Sequence, residues 1–483
     1  MSSVWRRMGR WWCALPLFTV ALVAIVGCAV NQAKEVATYR KVIGADREIA
    51  PFIAGEPLTL ERALELSNQY NERLGLQGEQ YLQSLINRDR AAAAFMPTVN
   101  LVPTATIGGG SASTLTGSVP VNGSMNVFNG FQDLNNFRSA KLTIEQQRAL
   151  LLNAQAGLLL DVAGIYYQIL RSEASVEVLR NTLTLQEERV RDMQTRLKVG
   201  WAKLLDVAQS EAQASDTRVL LLDAKRDVIN GRSTLAFLVA APVQDSTLSD
   251  AMRIPQQVAS LEQLQNIAVN NRQDLAAAAV AVGAARYAVS AAVGQYYPSL
   301  SVDVNAILAR RNLVSDSDWN AIFVANLPIF SAGLIEADVR QAWSVYRQAK
   351  LAESQTRRQV VEDVEIAYHN LQISYERLKE LEVEFAAAEA ALRLAEEQFT
   401  AGLATNLERL RAQDQRLAAR LRLVSEQFDQ KVFYLNLLRA VGRLSLRLPG
   451  ESATMPATLP VERPMTIPTT LPATMPTTVP GIQ

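Results

Sequence analysis

Two stretches of this chain carry an apolar residue at every seventh position, and no other feature constrains the fold as strongly. The first stretch covers residues 162–197 and the second covers residues 364–399, with each position of the first recurring 202 residues later. A sustained seven-residue apolar repeat is the pattern of a coiled-coil seam. No proline interrupts residues 137–199 or 335–401, so each segment predicts one helix of about 95–100 Å.

The same shift relates positions outside these stretches, which indicates that one module is present twice. Pairs separated by 202 residues include Phe128 with Phe330, Gly200 with Gly402, and Asp206 with Glu408. We predict a first repeat at residues 57–242, a linker at 243–259 and a second repeat at 260–445. Each repeat is predicted to contain a helix, two extended segments, a very long helix, a glycine turn and another helix. The opening helix of the first repeat is predicted at residues 60–94.

Apolar and polar residues alternate in four segments between the helices, at residues 98–101, 119–127, 300–308 and 319–327. Segments of about ten residues with one apolar and one polar face suit membrane strands around a lumen. Two soluble hairpins packed on the helices fit the alternation equally well, so the pattern leaves both readings open. In either case we predict four β-strands.

The composition excludes several classes of protein. The chain has 48 Lys and Arg residues against 48 Asp and Glu residues, so no basic excess is present to neutralise nucleic-acid phosphates. One histidine, His369, and two cysteines exclude the usual zinc and iron–sulfur clusters. No nucleophile–base or paired-carboxylate arrangement supports a hydrolase. We therefore predict no enzymatic activity, no metal and no cofactor.

The N-terminus has the pattern of a targeting segment. Three arginines within the first ten residues precede an apolar run that is too short for a stable span. The run ends in Ile25, Val26, Gly27 and Cys28, which resembles a bacterial lipobox. On that reading residues 1–27 are a signal peptide, Cys28 is lipidated, and 28–56 form a lipidated extension. An ordinary signal peptide or an uncleaved anchor is the alternative.

Two further segments stand outside the repeated pattern. Residues 275–294 are apolar enough to suggest a membrane helix, but they contain Arg286 and are dominated by alanine, so we reject that interpretation. Near the C-terminus a proline occurs at every fourth position from Pro456 to Pro480. We predict that residues 446–483 form a disordered tail of polyproline character.

Four membrane strands cannot close a barrel within one copy of the chain. Open sheet edges are not tolerated in hydrocarbon, so several copies must combine. Two copies would give eight strands and a filled interior, whereas three would give twelve strands and room for a pore. The long antiparallel helices of the same copies would then form one coiled-coil cylinder.

Two motifs in this repeated frame resemble those of the TolC-like outer membrane factors. Residues 327–333 (LPIFSAG) precede the second long helix, and residues 399–405 (FTAGLAT) end it. The resemblance covers roughly residues 57–445. The first repeat departs from the pattern, since residues 127–130 (VFNG) are one residue shorter and lack a preceding proline.

The resemblance implies a mainly α-helical protomer with a small membrane β-barrel portion and long coiled-coil α-hairpins. Such proteins are homotrimers with a twelve-stranded β-barrel in the outer membrane and an α-barrel across the periplasm. They are passive ducts that dock to a periplasmic adaptor and an inner-membrane pump. Lipidated members usually serve efflux, so we favour efflux over protein secretion. The alternative is a lipid-anchored periplasmic coiled-coil scaffold or adaptor without a channel.

The resemblance also assigns adaptor docking to the glycine turns at the ends of the long helices. Glycine ends a helix readily because it accepts positive φ, so the turns have a structural role in any case. Packing of Trp201 against its own hairpin is the alternative to docking. The docking candidates are Gly200, Trp201, Ala202, Gly402, Leu403 and Ala404.

A periplasmic gate is implied six residues beyond the two turn glycines, at Asp206 and Glu408, where family members carry acidic residues. Carboxylate rings in a narrow mouth favour cations. Arg411 stands where some relatives place a second acid, which makes such a ring less acidic or salt-bridged. Thr405 and Glu408 also have the spacing of a capping box, so a purely structural role stays open. Asp303 and Asn305 are candidate pore-lining residues, with a merely polar surface as the alternative.

Overall fold

Two sets of helices and strands of the same kind follow one another in the computed structural model. It describes residues 31–46, 49–108, 114–250, 252–311 and 317–446. After helix α1 (Gln32–Val42), the first set is β1 (Leu58–Thr59), α2 (Leu60–Tyr70), α3 (Glu72–Ala93), β2 (Thr98–Leu101), β3 (Thr104–Gly108), β4 (Thr114–Asn129), α4 (Gln132–Lys198) and α5 (Leu204–Val239). The second set is β5 (Leu248–Ser249), α6 (Leu261–Asn271), α7 (Gln273–Gly294), β6 (Ser299–Arg311), β7 (Trp319–Asn326), α8 (Leu334–Thr400) and α9 (Asn406–Ala440).

The two long helices, α4 and α8, each contain 67 residues and are therefore about 100 Å long. Their predicted seams are fully buried where Val162, Ile169, Val364 and Leu371 lie. Towards the far end the seam positions of α4 are only half-buried. There α4 packs with α5 and α9 around a small apolar cluster that includes Leu179, Leu221 and Leu417. The cluster holds the hairpin α4–α5 against the hairpin α8–α9.

The prediction of one continuous helix at residues 60–94 is wrong, because the chain breaks between α2 and α3 at Asn71. The second set breaks at Arg272, between α6 and α7, and both residues have extended backbone. The Asn71 carboxamide donates to the Leu238 carbonyl oxygen over 2.9 Å and accepts from the N–H of Arg73. It therefore caps α3 and joins it to the end of α5.

The buried Arg272 guanidinium performs the corresponding task in the second set. It donates to Asp274 over 2.6 Å, to Asp363 over 2.9 Å and to the Ala440 carbonyl oxygen over 3.3 Å. An arginine with two carboxylate partners satisfies a charge that would be costly to bury alone. Asn71 thus connects α3 to the end of α5, and Arg272 connects α7 to the end of α9.

The strands form one antiparallel sheet in the order β2-β4-β6-β7, with β3 also paired to β4. Thus β2 and β3 lie along the same side of β4 and are separated by Val102 and Pro103. Proline has no N–H to donate to a strand partner, whereas the Val102 N–H still donates to the Pro120 carbonyl oxygen over 3.1 Å. The predicted four strands therefore correspond to four positions across a sheet of five strands.

A second, two-residue parallel pairing joins the two sets of elements, between β1 and β5. The hydroxyl of the buried Tyr166 lies 2.8 Å from the carbonyl oxygens of Leu58 and of Ser249, and it accepts from the Ser249 N–H over 3.0 Å. A side chain of α4 thus fixes both strands of the pairing in place.

Two of the described helices, α4 and α7, are long and apolar enough to cross a membrane by length and composition alone. Helix α7 packs against both α4 and α8, and it contains Arg286. Helices that pack against other helices in a layer pass the same composition test. We therefore assign both helices to the packed helical part of the protein.

Replacing Leu371 by alanine tests the seam of α8. The side chain is fully buried, so its loss leaves a cavity and lowers the free energy of unfolding by about 2–5 kcal/mol. Circular dichroism during thermal unfolding in detergent measures the change. Lys379→Ala, at an exposed position of the same helix, is the control and should unfold like the parent. Equal melting of both variants would contradict the seam.

Candidate functional site

Two turns of the same geometry close the long hairpins. In the first, the Trp201 N–H donates to the Arg196 carbonyl oxygen over 2.8 Å and the Gly200 N–H donates to that of Leu197. In the second, Leu403 donates to Gln398 over 2.8 Å, and Gly402 donates to Phe399. This is the Schellman motif, which requires a left-handed residue after the helix. Gly200 and Gly402 supply it, with φ of 79° and 74°.

The turns present apolar side chains to solvent. Trp201 is 83% exposed and Leu403 is 81% exposed, so Trp201 does not pack against its own hairpin in the protomer. Neighbouring apolar residues are exposed as well. We call the group the tip patch; its members are Val199, Trp201, Leu204, Leu205 and Leu403. The smaller docking candidates Ala202 and Ala404 lie in the same two turns.

The two acidic gate candidates cap the helices that follow the turns. The Asp206 carboxylate accepts the N–H of Lys203 over 3.0 Å. The Glu408 carboxylate accepts the N–H and the hydroxyl of Thr405 over 2.7 and 2.9 Å, and the Thr405 hydroxyl accepts the Glu408 N–H. The capping box considered for Thr405 and Glu408 is thus present.

Capping does not remove the charge of Glu408. The backbone and hydroxyl hydrogen bonds from Thr405, and then the positive charge of Arg411, hold the pKa of Glu408 below its usual value. The exposed carboxylate is therefore ionised at neutral pH, and Arg411 is exposed one turn away. The two acids lie at equivalent places of the two turns, as the shift of 202 residues predicts.

A buried arginine, Arg409, lies close to the turns, and no pattern in the sequence singled it out. The Arg409 guanidinium carbon lies 4.2 Å from the centre of the Phe399 ring, and that of Arg196 lies 5.6 Å from it. Arg409 donates to the Asn406 side chain over 2.8 Å, and Asn406 donates to the Asp206 carbonyl oxygen over 3.2 Å. These contacts join the turn ends of α4, α5, α8 and α9.

A second link lies about one turn beyond Arg409 along α9. The Arg189 guanidinium on α4 donates to Glu396 on α8 and to Gln413 on α9. Nearby, Gln213 on α5 donates to Asp414 on α9. Burial, and then the negative charge of Asp216, raise the pKa of Asp414. Each hairpin is therefore bound to the other by side chains close to the turns.

The pore-lining candidates lie on the polar face of the sheet. Asp303 is paired with Ser124 of β4, and Asn305 is paired with Asn122. Successive side chains of a strand point to opposite faces, so Val302 and Val304 share the other face. Both valines belong to an apolar surface that also includes the exposed Phe323 and Trp319 of β7.

Within the described ranges no group of three or more His, Cys, Asp and Glu side chains could hold a metal ion. His369 lies edge-on to Tyr368, with 5.6 Å between the ring centres. The lipidation candidate Cys28, the predicted signal peptide and all but the first residue of the predicted tail lie outside the described residues.

Known proteins are similar to this chain in sequence and in fold. The outer membrane efflux protein BepC of Brucella suis is 28% identical over 335 residues, which is 68% of this chain and 73% of BepC. The outer membrane protein TolC of Vibrio cholerae is 25% identical over 301 residues, or 60% of this chain and 69% of TolC. The outer membrane protein VceC of Vibrio cholerae superposes with a TM-score of 0.70 at 21% identity, over 79% of this chain and 96% of VceC.

A family model makes the relationship explicit. The model for the outer membrane efflux protein matches residues 82–241 and then again residues 264–443. The two matches cover more than half of the chain, and the likeness to VceC gives the same mainly helical fold with few strands. The resemblance found in residues 327–333 and 399–405 is thereby confirmed. The chain belongs to the outer membrane efflux protein family.

Proposed function

We propose that the chain is the outer membrane subunit of a tripartite efflux system. It forms a passive homotrimeric duct from periplasm to exterior and docks to a periplasmic adaptor and an inner-membrane pump. The observation that carries the proposal is a single sheet with one apolar face, continuous with two helical hairpins of which each contains a 67-residue helix. Membership of the efflux family supports the same activity.

The number of copies follows from the width of the sheet. β2 with β3 lies at one edge and β7 lies at the other, and edges of this kind must pair in a bilayer. Three copies place twelve strand positions around a barrel wide enough for a pore. The exposed apolar face, which includes Val304 and Phe323, then meets lipid. The polar face with Asp303 and Asn305 lines the lumen.

The turns supply the periplasmic end of the duct. Asp206 and Glu408 contribute two carboxylates per copy, so three copies place six around one opening. Such a group favours cations over anions, and the nearby Arg411 reduces the effect. The tip patch is the docking surface, because exposed apolar patches of this kind mark protein interaction sites. Trp201 and Leu403 are the most exposed residues of the tip patch.

Ion selectivity in planar bilayers tests both the duct and the acidic opening. The wild-type oligomer should conduct, and Asp206→Asn combined with Glu408→Gln should lower the K⁺/Cl⁻ permeability ratio because six carboxylates are removed. Glu382→Gln, at an exposed position about 30 Å from the Gly402 turn at 1.5 Å per residue, is the control and should leave the ratio unchanged. If the wild-type oligomer did not conduct, the proposed duct would be wrong. If it conducted but the double variant kept the wild-type permeability ratio, only the proposed acidic opening would be wrong.

Mutating Cys28 separates the duct from the alternative of an anchored scaffold. We propose that Cys28 carries the acyl chains, so Cys28→Ser should abolish labelling by radioactive palmitate. A β-barrel inserts through its own apolar face, so the variant should remain in the outer membrane fraction and keep its oligomer. Ser3→Ala serves as a labelling control, because Ser3 lies in the segment that is removed. Release of the Cys28→Ser protein into the soluble periplasmic fraction would favour the scaffold.

A further inference from the structure

One row of side chains across the sheet consists entirely of asparagine. Asn100 of β2 pairs with Asn122 of β4, Asn122 pairs with Asn305 of β6, and Asn305 pairs with Asn320 of β7. Residues directly opposite on neighbouring strands point to the same face. The four carboxamides therefore form one continuous line across the full width of the sheet, which we call the asparagine row. Only Asn305 was a candidate from the sequence.

The asparagine row lies on the polar face of the sheet. The next row towards the helices contains Thr98, Ser124 and Asp303, with Ile322 of β7 at its end. The adjacent positions on the opposite face are apolar, since Val99 and Val304 lie directly beside the asparagines along their strands. Both valines are exposed in the protomer. The row therefore faces away from the surface that meets lipid.

The four carboxamides are not used to hold the protomer together. No hydrogen bond to their side chains is formed within the described ranges, although Thr98 and Ser124 one row away share a hydroxyl hydrogen bond of 2.8 Å. Asparagines elsewhere do bond, as Asn71 does to Leu238 and Asn406 to Asp206. A carboxamide offers two donors and an acceptor with two lone pairs, so the row presents unused hydrogen-bonding groups to the polar side.

The asparagine row carries no charge, although charged side chains lie on either side of it along the strands. Asp303 lies one row away on the side of the helices, and Arg310 lies on the other side, where it is paired with Asp318. The side chains at the level of the row itself carry no charge on any of the four strands. Solutes at this level therefore meet hydrogen-bonding groups without a preference for either sign of charge.

We propose that the asparagine row is the neutral hydrogen-bonding girdle of the pore, an inference that rests on the proposed trimeric duct. Three copies bring twelve carboxamides to one level of the barrel. The girdle interacts with polar solutes through donors and acceptors, and it passes cations, anions and uncharged molecules alike. Selection by charge is left to the carboxylates at the turns and at Asp303.

Cysteine substitution on one strand tests the position of the row. A water-soluble methanethiosulfonate reagent should reduce the conductance of the Asn305→Cys channel in planar bilayers. Val304→Cys, the adjacent residue on the apolar face, is the matched control and should not respond. Asn122→Cys, in the same row on β4, should behave like Asn305→Cys and serves if that variant fails to assemble. Modification at Val304→Cys alone, or at neither position, would overturn the inference.

A charge placed in the row tests its neutrality. Asn305→Asp adds one carboxylate per copy and should raise the K⁺/Cl⁻ permeability ratio about fivefold, the factor that one close ion–carboxylate contact supplies in water. The same change at the exposed Asn370 of α8 should leave the ratio unchanged. If the wild-type protein showed no conductance, the proposed duct itself would be wrong. If the Asn305→Asp channels conducted with an unchanged permeability ratio, only the proposed girdle would be wrong. The girdle would also be wrong if none of the row variants formed oligomers.

Discussion

The edges of the sheet determine how this chain can be placed in a bilayer. Among the described strands, β7 pairs only with β6, and β2 and β3 pair only with β4. Backbone N–H and C=O groups along such edges cannot be left unpaired in hydrocarbon. In the proposed duct, pairing with identical copies closes the open edges of the described sheet and turns its exposed apolar face towards lipid. In the same proposed assembly, the long helices α4 and α8 extend the lumen away from the sheet.

The helical part of the protomer places its two equivalent turns next to each other, at the end far from the sheet. Two 67-residue helices with buried seams set the distance from the sheet, and repeated Schellman motifs reverse the chain. Asn71 and Arg272, chemically different, connect the short helices to the hairpins at corresponding points. Near the turns, Arg409 on the Phe399 ring and Arg189 with Glu396 bind the hairpins together. The contacts between the two hairpins therefore hold Asp206 and Glu408 in defined positions relative to each other.

Long-range periodicity made much of this predictable from sequence. The seam residues such as Val364 and Leu371 recur over many turns, so the ends of α4 and α8 were located closely, and the glycine turns followed. The break at Asn71 was missed because a polar residue within a helical pattern gives no periodic signal. The asparagine row was missed because residues such as Asn100 and Asn320 become neighbours only through strand register, which one sequence does not specify. Arg409 stacks on Phe399 from another helix, and that contact too is long-range.

In the proposed duct, several copies enclose one continuous passage. Electron cryomicroscopy of the oligomer extracted in detergent measures this directly. We expect three copies around an axial cavity that runs from the micelle-embedded sheet through the helical cylinder to the turns. A particle without an axial cavity, or with its sheet outside the micelle, would contradict it.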